Sequence, residues 1–118
     1  MIAVIFEVVP HGDRMDAYLD AAQRLRSELE RMDGFISIER FASLSQPGKL
    51  VSLSFWRDEA AVREWRNLEA HRRVQAAGRE AIFEDYRLRV AHVIRDYGMN
   101  DRSEAPEDSR QVHDRNSD

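Results

Sequence analysis

The chain has 118 residues, 42% of them hydrophobic, with a formal net charge of −4 and no cysteine. Its length suits one domain, and the absence of thiols excludes disulfides, thiolate chemistry and cysteine-ligated metals. Interspersed acids and bases argue against a nucleic-acid surface, which needs a basic stripe, and no window reaches the roughly eighteen apolar residues of a membrane helix.

The opening run, M-I-A-V-I-F-E-V-V-P, has neither a basic leader nor a small-residue cleavage site. It is therefore read as a strand rather than a signal peptide, and a cytoplasmic location is expected. Ile2, Val4, Phe6 and Val8 share one face of this strand (Ile2 to Val9); Ala3, Ile5, Glu7 and Val9 share the other. Both faces are largely apolar, which predicts a central strand covered on both sides. Pro10 ends it. His11-Gly12-Asp13 makes a turn, with Asp13 as the expected helix cap.

From Arg14 to Met32 the period becomes helical. Met15, Tyr18, Leu19, Ala22, Leu25, Leu29 and Met32 recur at steps of three and four and draw one apolar stripe. Asp33-Gly34 stops this helix, with Gly34 as a left-handed cap. Phe35 to Ala42 and Leu50 to Trp56 alternate as strands. Ser45-Gln46-Pro47-Gly48 joins them as an antiparallel hairpin. Asp58 caps the next helix, whose inward side is Ala61, Val62 and Trp65. At about 100° per residue, Val74 points well away from that side. A break near Asn67-Leu68 is therefore expected, with the stripe restarting as His71, Val74, Gly78 and Ile82. Phe83 to Tyr97 alternates as one long final strand that outgrows its own sheet and reaches a partner subunit. Residues 98–118 hold six acids and three arginines and little that is apolar. They read as a polar tail beyond a domain spanning 1–97, with 103–109 and 116–118 disordered.

The order β-α-β-β-α-β is the ferredoxin-like plan, an α+β fold with one antiparallel sheet and its helices on a single face. The apolar second face then calls for cover. A twofold homodimer packed sheet on sheet is the simplest answer.

D-G-F-I-S-I-E-R-F, P-G-K-L-V-S-L-S-F-W-R-D-E-A-A-V-R-E-W and the helix that follows resemble the antibiotic biosynthesis monooxygenase family of dimeric α+β barrels, over roughly Met1 to Tyr97. The resemblance implies a cofactor-independent monooxygenase acting on a small aromatic or quinone-like substrate. It also implies two alternatives: a noncatalytic small-molecule-binding or stress-associated dimer, and a haem-degrading enzyme. For haem degradation the family pattern has an asparagine near the end of strand one, a helix tryptophan and a histidine ten residues further on. Here Trp65 matches, but Phe6-Glu7 and Gln75 stand at the other two positions.

Three residues are candidates for chemistry. His71 can exchange protons at neutral pH, or it is a half-buried or surface histidine. Trp65 can stack on a flat ring, or it fills the core. Glu7 is a lone acid in an apolar strand; burial would raise its pKa and suit it to proton abstraction, whereas Arg87, Arg89 or Arg95 could instead hold it in a salt bridge. His92 is expected inward or in the dimer seam. No metal motif, phosphate loop or dinucleotide fingerprint appears, so no cofactor is expected. An electron-rich phenolate could reduce oxygen itself inside an apolar pocket.

Overall fold

A computed structural model describes residues 1–75 and 83–113, with side chains over 1–68 and 83–112. Four strands form one sheet in the order β2-β3-β1-β4. They are β1 (Ile2–Pro10), β2 (Phe35–Ala42), β3 (Leu50–Trp56) and β4 (Phe83–His92). Every neighbouring pair is antiparallel. Helix α1 (Met15–Glu30) links β1 to β2, and α2 (Glu59–Gln75) follows β3. This is the ferredoxin-like α+β fold, with the apolar opening strand in a central position.

The alternation of β1 decides what lies on each side. Its even residues Ile2, Val4 and Val8 are buried, together with Trp56 of β3, Leu29 of α1, and Ala61 and Val62 of α2. One core therefore joins this sheet face to both helices. Trp56 is its largest fully buried side chain. The indole Nε1 donates to Ser54 Oγ at 2.9 Å, so a polar atom is buried with its partner. Phe35 meets the ring edge-on at 5.3 Å, and Trp65 lies nearly parallel to it at 6.3 Å. The odd residues Ile5, Glu7 and Val9 share the second face with Val51, Leu53 and Phe55 of β3. Phe41 stands exposed on the same side. Neither α1 nor α2 belongs to that face.

A charged clip joins the two halves of the fold. Arg57 donates from both terminal nitrogens to the Asp33 carboxylate at 3.1 Å, and from Nε to Asp58 at 2.9 Å. Its backbone N–H donates to the Gly34 carbonyl at 2.7 Å. Asp58 Oδ1 in turn accepts from the Ala61 N–H at 2.9 Å, which is the expected cap of α2. The N–H bond from Ala61, and then Arg57, hold the Asp58 carboxyl below its usual range. Arg57 does the same to Asp33 and is itself made harder to deprotonate by the two acids. Gly34 does not cap α1 as expected: the helix ends at Glu30 with Arg31 as a right-handed cap, and Gly34 takes φ +86° in the following turn, closed by the Phe35 N–H to the Met32 carbonyl, while Gly48 takes +84° in the hairpin loop.

Four further expectations need correction. Asp13 does not cap α1: the helix starts after Arg14, without a side-chain cap. Helix α2 does not break near Asn67-Leu68 but runs unbroken to Gln75. Residues 66–75 contain no glycine or proline, so the backbone ladder continues although the apolar spacing of the sequence changes there. Strand β4 stops at His92 rather than Tyr97. Ile2 pairs with His92, and beyond it the Val93 N–H donates to the Met1 carbonyl at 3.0 Å.

The fourth correction concerns the polar segment at the C-terminal end. Residues 103–109, expected to be disordered, include the start of a short helix α3 (Glu107–His113). Arginines order this region in place of an apolar core. Arg102 sits 5.3 Å over the Tyr97 ring and donates to the Gly98 carbonyl and Ser109 Oγ. Arg110 donates to the carbonyls of Ala105, Arg102 and Ser103. The radius of gyration is 17.7 Å and the longest extent 60 Å, against about 13–14 Å for a rounded domain of this length.

Candidate functional site

The helix-side surface of the sheet changes character from β1 to β4. At the end nearer the start of α1, Phe6, Tyr18, Phe83 and Tyr86 form a chain of tilted and edge-on ring contacts, with centroids 5.7–6.0 Å apart. Such geometry is the favoured one for aromatic pairs. The strip continues along β4 through Leu88 and Val90, which pair with Phe6 and Val4. Tyr86, Leu88 and Val90 are about half exposed, at 53%, 48% and 47%. Their alternation puts them on the side where both helices lie. A recess of about 230 Å³ opens between α2 and this strip, lined by Glu59, Val62, Arg63, Arg66 and Val90.

The three candidate residues are not brought to one place. Trp65 lies on this side, half-buried, with its ring against Trp56 and the core cluster. The backbone of His71 belongs to α2, but its side chain lies outside the described residues. Gly78 and Ile82 of the expected stripe lie outside them too. Glu7 is on the opposite face of the sheet. It accepts from Lys49 Nζ at 2.9 Å and from Arg89, and it borders a shallow recess of about 310 Å³ with Gln46, Asp85 and Arg87.

The expected rise in the Glu7 pKa is therefore reversed. Hydrogen bonds from Lys49 and then Arg89 hold its carboxyl below the usual 4.5, and the smaller desolvation effect does not offset them. A carboxylate stabilised in this way is a poor base at neutral pH. The salt bridge to Arg89, foreseen as the alternative, is the arrangement present. His92 sits on the helix side of β4 and is exposed. Among the described residues no cluster of three or more His, Asp or Glu could hold a metal ion. No described helix is long and apolar enough to cross a membrane.

Glu7 gives a pH dependence whose sign is fixed. Its folded pKa lies below the unfolded value, so its stabilisation is fully present above about 4.5 and is lost as pH falls through the folded pKa. In thermal melts, wild type should exceed Glu7→Gln by a constant margin from pH 8 down to the mid-fives. The margin should shrink below pH 4.5. A margin that grows on acidification would contradict the ion pairs described.

Residue patterns alone missed Lys49, Arg63 and Arg66. Lys49 had a signal: in the β1–β3 register it falls one residue before Leu50, which pairs with Val8, and so on the Glu7 side of the sheet. Arg63 and Arg66 follow Glu59 and Val62 at helical steps, a pattern that a solvated helix face shows equally well.

The model of the antibiotic biosynthesis monooxygenase family matches residues 1–77. A jasmonate monooxygenase of Pyricularia oryzae is 46% identical over 101 residues, covering 86% of this chain and 47% of that protein. The chain thus spans about half the length of that relative. A Deinococcus radiodurans structure assigned to the antibiotic biosynthesis monooxygenases superimposes with a TM-score of 0.70, at 13% identity, over 83% of this chain and 97% of that one. A haem-degrading protein of Mycobacterium tuberculosis, solved with two haems bound, gives a TM-score of 0.63 at 16% identity, over 83% of this chain and all of that one. The two structures share the fold. The family match extends from β1 through all of α2, and on that ground the chain belongs to the antibiotic biosynthesis monooxygenase family.

Proposed function

We propose that the protein is a monooxygenase of a small aromatic or quinone-like molecule, working as a homodimer and without a bound cofactor. The observation that carries this reading is the ring-rich strip on the helix side of β1 and β4, in which Phe6 and Phe83 are partly buried and Tyr86, Leu88 and Val90 half exposed. A flat apolar substrate gains on the order of 25 cal/mol for each Å² of apolar surface it hides there. Phe6 lacks the amide that a hydrogen-bonding site would place on this strand. The relative from P. oryzae, named for its oxygenation of jasmonate, supports the reaction class.

The redox balance needs no further reductant. A phenol oxidised to a quinone gives up four electrons, which is what one O₂ accepts. One oxygen atom becomes the new carbonyl and the other leaves as water with two protons. His71 is assigned as the base that takes the phenolic proton, since imidazole titrates in the required range. Trp65, backed by Trp56, is assigned as a wall of the site. Glu7 has no part in this chemistry, because it lies across the sheet with its charge neutralised by Lys49 and Arg89. The second sheet face carries the dimer: Ile5, Leu53, Phe55 and Phe41 offer apolar area, with the Glu7 ion pairs among them.

Oxygen uptake with a panel of phenols and hydroquinones tests the reading. We expect turnover by the wild type. In Leu88→Arg, which places a cation in the ring strip, kcat/KM should fall at least tenfold, equivalent to about 1.4 kcal/mol. His71→Ala should lose turnover while sedimenting as the same dimer. Binding of phenols without oxygen consumption would point instead to a noncatalytic carrier, and a sedimentation mass of one subunit would remove the dimer.

A further inference from the structure

The recess between α2 and β4 has an apolar floor and a cationic mouth. Val62 is buried and Val90 half exposed. Arg63 and Arg66 line the same recess. Three residues apart on a helix, they are neighbours on one face. Among the described residues neither has an ion-pair partner, although Glu59 precedes Arg63 by four positions. With Glu59 counted, the lining carries a net positive charge. The volume, about 230 Å³, exceeds the roughly 150 Å³ that takes up a benzene ring. It leaves room for a single ring and one small substituent.

From this we infer that the preferred ligand is an amphipathic anion: a ring that lies on Val62, Val90 and Leu88, with a carboxylate held at Arg63 and Arg66. The inference rests on the proposed monooxygenase site and adds an anionic group to its substrate. Guanidinium groups suit this task because they present paired donors in a planar fork that matches a carboxylate. Lysine would supply charge without that geometry. The arrangement also orders the ligand: the charged end stays at the mouth beside solvent, and the ring goes down towards the aromatic chain that starts at Phe6.

Calorimetric titration with 4-ethylbenzoate and with its methyl ester, which has the same ring without the charge, separates the two parts. In wild type the carboxylate should bind at least tenfold more tightly than the ester, and its affinity should fall with added salt. In Arg63→Gln/Arg66→Gln the carboxylate should lose most of that advantage while ester binding stays within twofold. Arg63→Lys/Arg66→Lys should recover only part of it. An unaltered melting temperature shows that these exposed substitutions leave the fold intact. Equal affinity of acid and ester in wild type, or an unchanged ratio in the glutamine variant, would overturn the anion assignment and leave the monooxygenase reading standing. A carboxylate preference without oxygen uptake on any phenol or phenolic acid would do the reverse. Absence of binding by both probes would overturn the anion assignment, while oxygen uptake on phenols decides the monooxygenase reading separately.

Discussion

Replacing Trp56 with alanine should cost about 3–5 kcal/mol, the range for truncating a large buried aromatic. A domain of this size holds on the order of 5–15 kcal/mol in total, so the loss removes a large share. With a urea slope of roughly 1–3 kcal/mol per molar, the unfolding midpoint should fall by a molar or more, and near-ultraviolet dichroism should flatten as Phe35 and Trp65 lose the ring between them. The reason lies in where the indole sits. It is fully buried in a cluster to which β1, β2, α1 and α2 all contribute. Trp56→Phe separates packing from polarity. It keeps most of the volume but leaves Ser54 Oγ without its donor, so its cost should be well under half that of alanine. A Trp56→Ala protein with an unshifted midpoint would mean that the core is organised elsewhere.

The second large effect comes from adding one methyl group. Gly34 holds φ +86°, where a β-carbon costs about 1–2 kcal/mol from the backbone alone. A β-carbon there would also lie 2.7 Å from that of Ala61, closer than real β-carbons approach. Ala61 is buried in the first turn of α2, so that turn must shift and strain the Asp58 cap and the Arg57 clip. Gly48→Ala is the matched control: its φ is +84° and no atom lies within 4 Å of the new carbon. Gly34→Ala should therefore be the more destabilising in chemical denaturation, and the excess measures the clash. Adding Ala61→Gly should return much of that excess, as expected for two residues in contact. Equal losses at both glycines would show that α2 gives way freely.

Most of the framework could be read from residue order. Alternation placed β2 and β3 at their observed bounds, because half-buried strands must repeat every two residues and Pro47-Gly48 forces the turn between them. The positive φ of Gly34 was legible, since few other residues adopt it, but its place was not: it serves the turn into β2 rather than the cap of α1, which falls at Arg31. The misses have a common physical origin in what a neighbour permits. The apolar residues after Trp65 fall out of step with Ala61 and Val62 along the sequence, yet the helix continues because its hydrogen bonds are internal and no breaker intervenes. The alternation of β4 runs on past His92, yet the strand ends there, at the residue paired with Ile2. Glu7 was legible as an acid in an apolar strand. Its lowered pKa depends on Lys49, which comes within reach only once β3 is paired with β1. Of the candidate chemistry, the tryptophan and its helix were legible. The aromatic chain from Phe6 to Tyr18 was not, since it joins residues from β1, α1 and β4 that no local pattern links.

The 60 Å long axis has a practical consequence for hydrodynamics. An elongated particle meets more friction than a sphere of equal mass, so it leaves a gel-filtration column early. One subunit of 13.8 kDa would then run at the apparent size of a heavier rounded protein, and elution volume alone would mistake shape for association. Light scattering or sedimentation equilibrium, which weigh the particle without reference to its outline, are the measurements that count subunits here.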